Sequence, residues 1–167
     1  RFCASGLQAI AIVAERVQVG ATLCGIAGGV ESMSMVPMGG NKATLSLNVV
    51  KTHPEYYISM GLTAENVAKR FEVSREDQDA FALQSHKRAI AAIESGKFAD
   101  EISPSTTASG NEHNVDEGPR GDTSVEALAK LRPAFHVKGS VTAGNSSQMN
   151  DGAAVTVVMQ RQKAEEL

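Results

Sequence analysis

The most reactive group in the sequence lies three residues from its start. Cys3 is followed by Ala4-Ser5-Gly6 and then by an almost unbroken apolar stretch, Leu7 to Val19. A helix N-terminus carries unpaired backbone N–H groups and the positive end of the macrodipole. A thiolate placed there is stabilised, so more nucleophile is present near neutral pH. The same N–H groups can receive the oxyanion that develops on an attacked carbonyl. Three small residues leave room for a substrate to approach the sulfur. Chemistry alone therefore makes Cys3 a candidate nucleophile, yet cysteine is also a common packing residue, and spacing leaves both readings open.

The other candidate motifs carry less. Cys24 falls inside an apolar run and reads as structural. Cys24-Gly25-Ile26-Ala27-Gly28-Gly29 lacks the order of a dinucleotide or P-loop fingerprint. Ser5 is not framed by the glycines of a nucleophile elbow and suits a helix start. The four histidines, 53, 86, 113 and 136, have no ligand spacing and read as solvated, and no metal site is expected. Methionines 33, 35, 38 and 60 fit either core filling or the wall of an acyl channel.

Periodicity places these residues on elements. Apolar positions from Ser5 to Val19 predict a helix buried nearly all round, stopped at Gly20. Ala21 to Ala27 predicts a short buried strand ended by Gly28-Gly29, and helix followed by strand indicates an α/β class. Val30 to Gly61 reads as a long excursion. Helices are predicted over Thr63 to Phe71, from a Ser74 cap to Ser95, and over Val125 to Leu131. Asp100 to Thr107 predicts a strand, Gly110 to Ser124 a loop, and Gly152 to Met159 a central strand. A further helix is predicted to begin at Glu165-Glu166-Leu167.

The 167 residues suffice for a domain with a core; 42% are hydrophobic and 21% charged. A net charge of −3 and few aromatic residues give no reason to expect nucleic acid. The longest apolar run is broken by Glu15 and Arg16, so no membrane span is expected. Two cysteines make no disulfide framework, which suits a reducing, intracellular setting. The sequence opens on Arg1 and reads as an internal stretch of something longer.

The segment RFCASGLQAI resembles the nucleophile segment of thiolases, which make or cleave 3-ketoacyl-CoA. Four more segments follow in the family's order: AGGVESMS (27–34), MGLTAENVAKRFEVSREDQDAFALQSHKRA (60–89), LAKLRPAF (128–135) and TAGNSSQMNDGAA (142–154). The resemblance implies a layered αβαβα thiolase-like fold, present in part. Residues 1–34 would belong to the N-terminal domain, 35–140 would form the CoA-binding loop domain, and 141–167 would return to the N-terminal domain. The C-terminal domain would be missing. Cys3 would accept the acyl group, with its backbone N–H in an oxyanion hole. Ser147 would contact the pantetheine arm of CoA, Ala143 and Met60 would line the pantetheine tunnel, and Arg120 would lie near the nucleotide end. A guanidinium there offers donors to phosphate or a face to adenine.

The family pattern adds a Gly-His-Pro histidine, a second cysteine in Cys-x-Gly-Gly-Gly and an asparagine-held water. None of these motifs occurs in the sequence, so the isolated chain is expected to be inactive. CoA would be a substrate rather than a bound cofactor, with acyl-CoA as the other partner and a homo-oligomer, dimer or tetramer, as the full-length form. Location would be cytoplasmic in a bacterium and peroxisomal or mitochondrial in a eukaryote. Biosynthetic members tend to carry a histidine where Ser59 stands, so the resemblance favours thiolytic β-oxidation over acetoacetyl-CoA synthesis. Rival readings are a ketoacyl synthase, a non-catalytic thiolase-like lipid or CoA carrier, and a small α/β domain with a structural Cys3.

Overall fold

The chain enters its first helix through a single 3-10 turn, Phe2–Ala4, which is continuous with α1, Ser5–Gln18. In the computed structural model, which describes all 167 residues, two compact units form. One comprises Arg1–Ala43 with Met149–Leu167, and the other Thr44–Gln148.

In the first unit, α1 packs on a two-stranded antiparallel sheet of β1, Cys24–Ser32, and β4, Asp151–Met159. Val13 of α1 lies over Gly25, and the α1 face through Ile10, Ala14 and Val17 is the one removed from water. The register runs without a bulge from Cys24↔Met159 to Ser32↔Asp151. At one end Gln160 donates to the Leu23 carbonyl at 3.0 Å. At the other the Asp151 carboxylate accepts the Ser34 N–H at 2.8 Å and the Ser34 hydroxyl. The hydroxyl and then the N–H hold the Asp151 carboxyl below its ordinary value.

The structure departs from the sequence expectations at several elements of this unit. The first strand begins at Cys24 and runs through Gly28-Gly29 to Ser32, because each of its residues has a partner on β4. Neither strand is central or buried: each has one neighbour, and Ile26, Val30, Val155 and Val157 are exposed. Cys24, taken as a packed residue, is exposed too. In α1 only Val17 is buried, since the sheet covers one side and nothing in this unit covers the other. The last helix, α6, spans Arg161–Glu165 and ends where it was expected to start.

The second unit is mainly helical. Within the excursion lie α2, Leu47–Thr52, and a 3-10 turn, Pro54–Tyr57. α3, Met60–Phe71, starts earlier than predicted because Ser59 caps it, its hydroxyl accepting the Leu62 N–H at 3.3 Å. α4, Arg75–Glu94, begins at the Ser74 cap, with Glu76 and Asp77 in the first turn next to the positive end of the dipole. The predicted strand over 100–107 is reduced to β2, Ser105–Thr106, paired with β3, Glu112–His113, inside the presumed loop. The Thr107 hydroxyl holds the turn between them through two bonds to Asn111, beside the backbone bond from the Thr107 N–H to the Asn111 carbonyl. α5, Val125–Ala129, is capped by Ser124 and is shorter than predicted.

The core of this unit is small: Leu83, Leu128 and Val141, with the polar Asp79 and Thr142 buried among them. Gly61 in α3 is buried because the Phe135 ring occupies the space where a Cβ would stand. Gly61→Ala would push that ring out of its place, an overpacking cost of about 1–3 kcal/mol that exceeds the roughly 1 kcal/mol helix-propensity gain. Urea unfolding of the variant is expected to show a net loss of stability; a gain would mean that Phe135 is free to move. No helix is long and apolar enough to cross a membrane.

Candidate functional site

Cys3 is exposed in the turn that opens α1. That turn is set by Phe2, whose φ of 50° is left-handed and unusual for an aromatic residue. The Ala4 N–H bonds to the Arg1 carbonyl at 3.1 Å, and the Ser5 N–H to that of Phe2. A helical chain therefore begins at the thiol and continues through Gln18, with its N–H groups directed back towards residues 1–3. The first unit contains no histidine, so no imidazole of that unit can serve the thiol as a base.

The second unit holds a cleft of about 650 Å³. Its walls come from α4 (His86), from the loop 117–123 (Glu117, Gly118, Arg120, Asp122), from α5 and its C-terminus (Leu128, Leu131), and from residues 143–148. Two of the predicted site residues, Arg120 and Ala143, meet here. Ser147 is exposed between two residues that line the cleft, Ser146 and Gln148, and its hydroxyl makes only a long bond to the Gln148 carbonyl at 3.4 Å. Met60 opens α3 with its side chain exposed and does not line this cleft.

Arg120 is fixed at both ends. Its Nε and Nη2 donate to the two oxygens of Asp122, at 3.2 and 3.1 Å. Its backbone N–H donates to His86 Nδ1 at 3.1 Å. The bonds with Asp122 and the opposite charge raise the guanidinium pKa and lower that of the Asp122 carboxyl. Gln148 donates to the Gly118 carbonyl and ties residues 143–148 to the same loop.

His86, read as solvated, is half-buried and bonded. Sequence carried a signal for it: Asp79, Leu83, His86 and Ile90 follow helical spacing, and both Asp79 and Leu83 are buried. Gln148 carried no such signal.

The segment bearing Ala143 and Ser147 is held from below by two helices. Glu65 of α3 accepts the Ser140 N–H with both oxygens at 3.0 Å and the Val141 N–H at 2.9 Å. Gly139 makes that approach possible, since a Cβ there would run into the Glu65 carboxylate. Asp79 of α4 accepts from Arg75 Nε at 2.8 Å and from Asn145 Nδ2 at 2.9 Å. Arg75 also donates to the carbonyls of Leu128 and Leu131, at 2.7 and 3.1 Å.

Burial acts to raise the Glu65 pKa. The N–H groups of Ser140 and Val141, the Ser140 hydroxyl and the nearby His136 outweigh it, and the carboxyl lies below its ordinary value of 4.5. A carboxylate whose pKa falls on folding contributes stability above the unfolded value and loses it as the pH drops through the folded value. The stability difference between the wild type and Glu65→Gln is thus expected to be full near neutrality and to shrink with acid below 4.5. Parallel denaturant titrations check this; a difference that does not vary with pH would deny Glu65 the role.

Residues 1–162 match the family described as Thiolase, N-terminal domain. The chain is 51% identical to the 3-ketoacyl-CoA thiolase of Bacillus subtilis and 47% identical to the peroxisomal 3-ketoacyl-CoA thiolase of Homo sapiens. All of the chain is covered in both comparisons, against 46% and 42% of those proteins. The crystal structure of the dimeric peroxisomal thiolase of Saccharomyces cerevisiae superposes with a TM-score of 0.87 at 40% identity, covering 98% of this chain and 43% of that one. The chain spans less than half the length of these relatives.

Proposed function

We propose, for a chain that belongs to the thiolase family and has its fold in part, that the whole protein is a 3-ketoacyl-CoA thiolase with Cys3 as its acyl-accepting nucleophile. The observation that carries this is the match of residues 1–162 to the thiolase N-terminal domain, with an exposed thiol at the opening of α1. The names of the relatives at 51% and 47% identity favour the thiolytic direction over acetoacetyl-CoA synthesis.

The reaction runs in two halves. The Cys3 thiolate attacks the 3-keto carbonyl of the acyl-CoA, and a carbon–sulfur bond forms. The bond between C2 and C3 breaks, its electron pair passing to acetyl-CoA as an enolate that takes up a proton. CoA thiolate then attacks the acyl-enzyme, and the shortened acyl-CoA leaves as Cys3 regains its thiolate. The Cys3 backbone N–H would help to form the oxyanion hole, since the Ala4 and Ser5 N–H groups are bonded to the Arg1 and Phe2 carbonyls. The groups that move the protons would come from parts of the protein outside these 167 residues. Cys3 alone would then be acylated slowly and would not turn over, because groups that act as a unit forfeit most of the rate when one is removed.

Ser147, Ala143, Met60 and Arg120 are assigned to CoA, Ser147 and Ala143 along the pantetheine arm and Arg120 at the nucleotide end. The inserted compact unit Thr44–Gln148, with its cleft bearing Arg120 and Ala143, supports assigning the loop domain to that part of the chain. The dimeric yeast relative supports a homodimer, and the named peroxisomal relatives support an intracellular location. The test is intact-protein mass spectrometry of the full-length protein after brief exposure to acetoacetyl-CoA. A thioester adduct that free CoA discharges is expected. An adduct that CoA cannot remove, or none at all, would refute acyl transfer.

A further inference from the structure

The segment Ser140–Asn145 is shaped by side chains rather than by a backbone ladder. The N–H groups of Ser140 and Val141 go to Glu65, and that of Thr142 goes to Asn145 Oδ1 at 2.7 Å. Asn145 can accept there because its Nδ2 is spent on Asp79 Oδ1 at 2.9 Å and on the Ser140 carbonyl at 3.1 Å. Thr142 is fully buried, its carbonyl taking the Ser146 hydroxyl at 2.6 Å and its own hydroxyl oxygen taking the Gly144 N–H at 3.2 Å. Gln78 adds a bond to the Ser140 hydroxyl at 3.0 Å. Three consecutive N–H groups are therefore satisfied only while two carboxylates, on two different helices, stay in place.

Asp79 is 3% exposed, so its charge is held away from water by design of its partners and not by solvent. The residues that follow are the cleft wall: Ala143, Gly144, Ser146 and Gln148. We propose that Asp79, through Asn145, and Glu65, through the N–H groups of Ser140 and Val141, are positioning residues that set where residues 143–148 present themselves to CoA. This rests on the assignment of the cleft and Ser147 to CoA. Neither carboxylate touches the ligand. Asp79 works by fixing which way the Asn145 amide faces, and Glu65 by fixing the backbone two residues earlier.

The experiment is a CoA titration of the full-length protein by calorimetry, with thiolysis kinetics on the same samples. Asp79→Asn keeps the shape but leaves one oxygen where two acceptors are needed, for Arg75 and for Asn145. Its Kd and KM for CoA are expected to rise about fivefold, the scale of one hydrogen bond, with kcat at saturating CoA unchanged. Ser147→Ala alone is expected to weaken CoA by a similar factor. The double variant is expected to lose less than the product of the two, because both act on one contact.

A lower melting temperature in Asp79→Asn with an unmoved Kd would overturn the proposal and leave Asp79 a structural residue. So would strictly multiplicative losses. A Ser147→Ala protein with unchanged CoA affinity would instead remove the assignment of the cleft, which distinguishes the two failures. Should Asp79→Asn not fold, Glu65→Gln carries the same test from the other helix, with the same rise in Kd expected and the same unmoved Kd as its refutation.

Discussion

Cys3→Ala in the full-length protein is expected to abolish thiolysis, by about six orders of magnitude on the scale of nucleophile deletions in acyl-transfer enzymes. The loss would be this large because, in the proposed reaction, the two halves share a single covalent intermediate, and without sulfur neither has a starting point. Cys3→Ser separates nucleophile from shape. It keeps a heteroatom at the opening of α1 but replaces sulfur with oxygen, a far weaker nucleophile towards a carbonyl, so it is expected to fall almost as far.

The internal control is the second thiol. Cys24 is also free and exposed, on β1, and a reactive thioester could label it without any site being present. Cys24→Ala is therefore expected to retain both the adduct and the rate. An adduct that survives Cys3→Ala and vanishes in Cys24→Ala would mean that the exposed strand, not the helix start, had been acylated.

Arg75→Ala is expected to produce the largest loss of stability. The Arg75–Asp79 pair is well shielded, with side-chain exposures of 21% and 4%. Removing one member of such a pair leaves an uncompensated charge in a poor solvent, at a cost of about 3–5 kcal/mol. Here the Leu131 carbonyl would lose its donor as well, and the Leu128 carbonyl would be left with backbone donors alone. Whole domains are stable by only about 5–15 kcal/mol, so the variant would stand near the threshold of folding. Chemical denaturation reads the difference directly.

An apolar pair in the same space, Arg75→Met with Asp79→Leu, is expected to recover part of that loss, since replacing both partners of a buried pair is often neutral. Recovery would be incomplete, because Asn145 Nδ2 would keep the Ser140 carbonyl but lose the second of its two acceptors. Full stability in Arg75→Ala alone would mean that Asp79 finds water or another donor.

What the sequence made legible was local. The Ser74 cap is announced by Ser-Arg-Glu-Asp, and the structure places its hydroxyl on the Asp77 N–H; Gly96, read as the stop, takes a φ of 70°. Helical periodicity located α1 and α4 to within a residue at each end. The misplacements all came from contacts distant in sequence. β1 passes through Gly28-Gly29, which reads as a break, because the ladder supplies partners on β4. Burial of α1 and both strands was overstated because an apolar face states that it needs a cover, not where that cover is encoded. Motifs suggested Ala143, Ser147 and Arg120, whereas the bracket from Glu65 and Asp79 is invisible in motif form. A charged residue on a helix reads as solvated until the loop it grips is seen.

The antiparallel pair of β1 and β4 has a consequence for how the chain folds. Ser34 and Asp151, joined at the end of that ladder, are 117 residues apart. A tight hairpin would close a loop of a few residues. Here about five doublings of loop length, each worth about 0.6 kcal/mol, add roughly 3 kcal/mol of closure entropy. Contacts within α3, α4 and their capping turns involve far shorter loops and no such delay. The helical insert is thus the early-forming part, and the sheet that carries the helix with the thiol is the late one. Until that ladder closes, α1 has no sheet to pack against, and the backbone N–H and C=O groups of β1 and β4 stay unpaired.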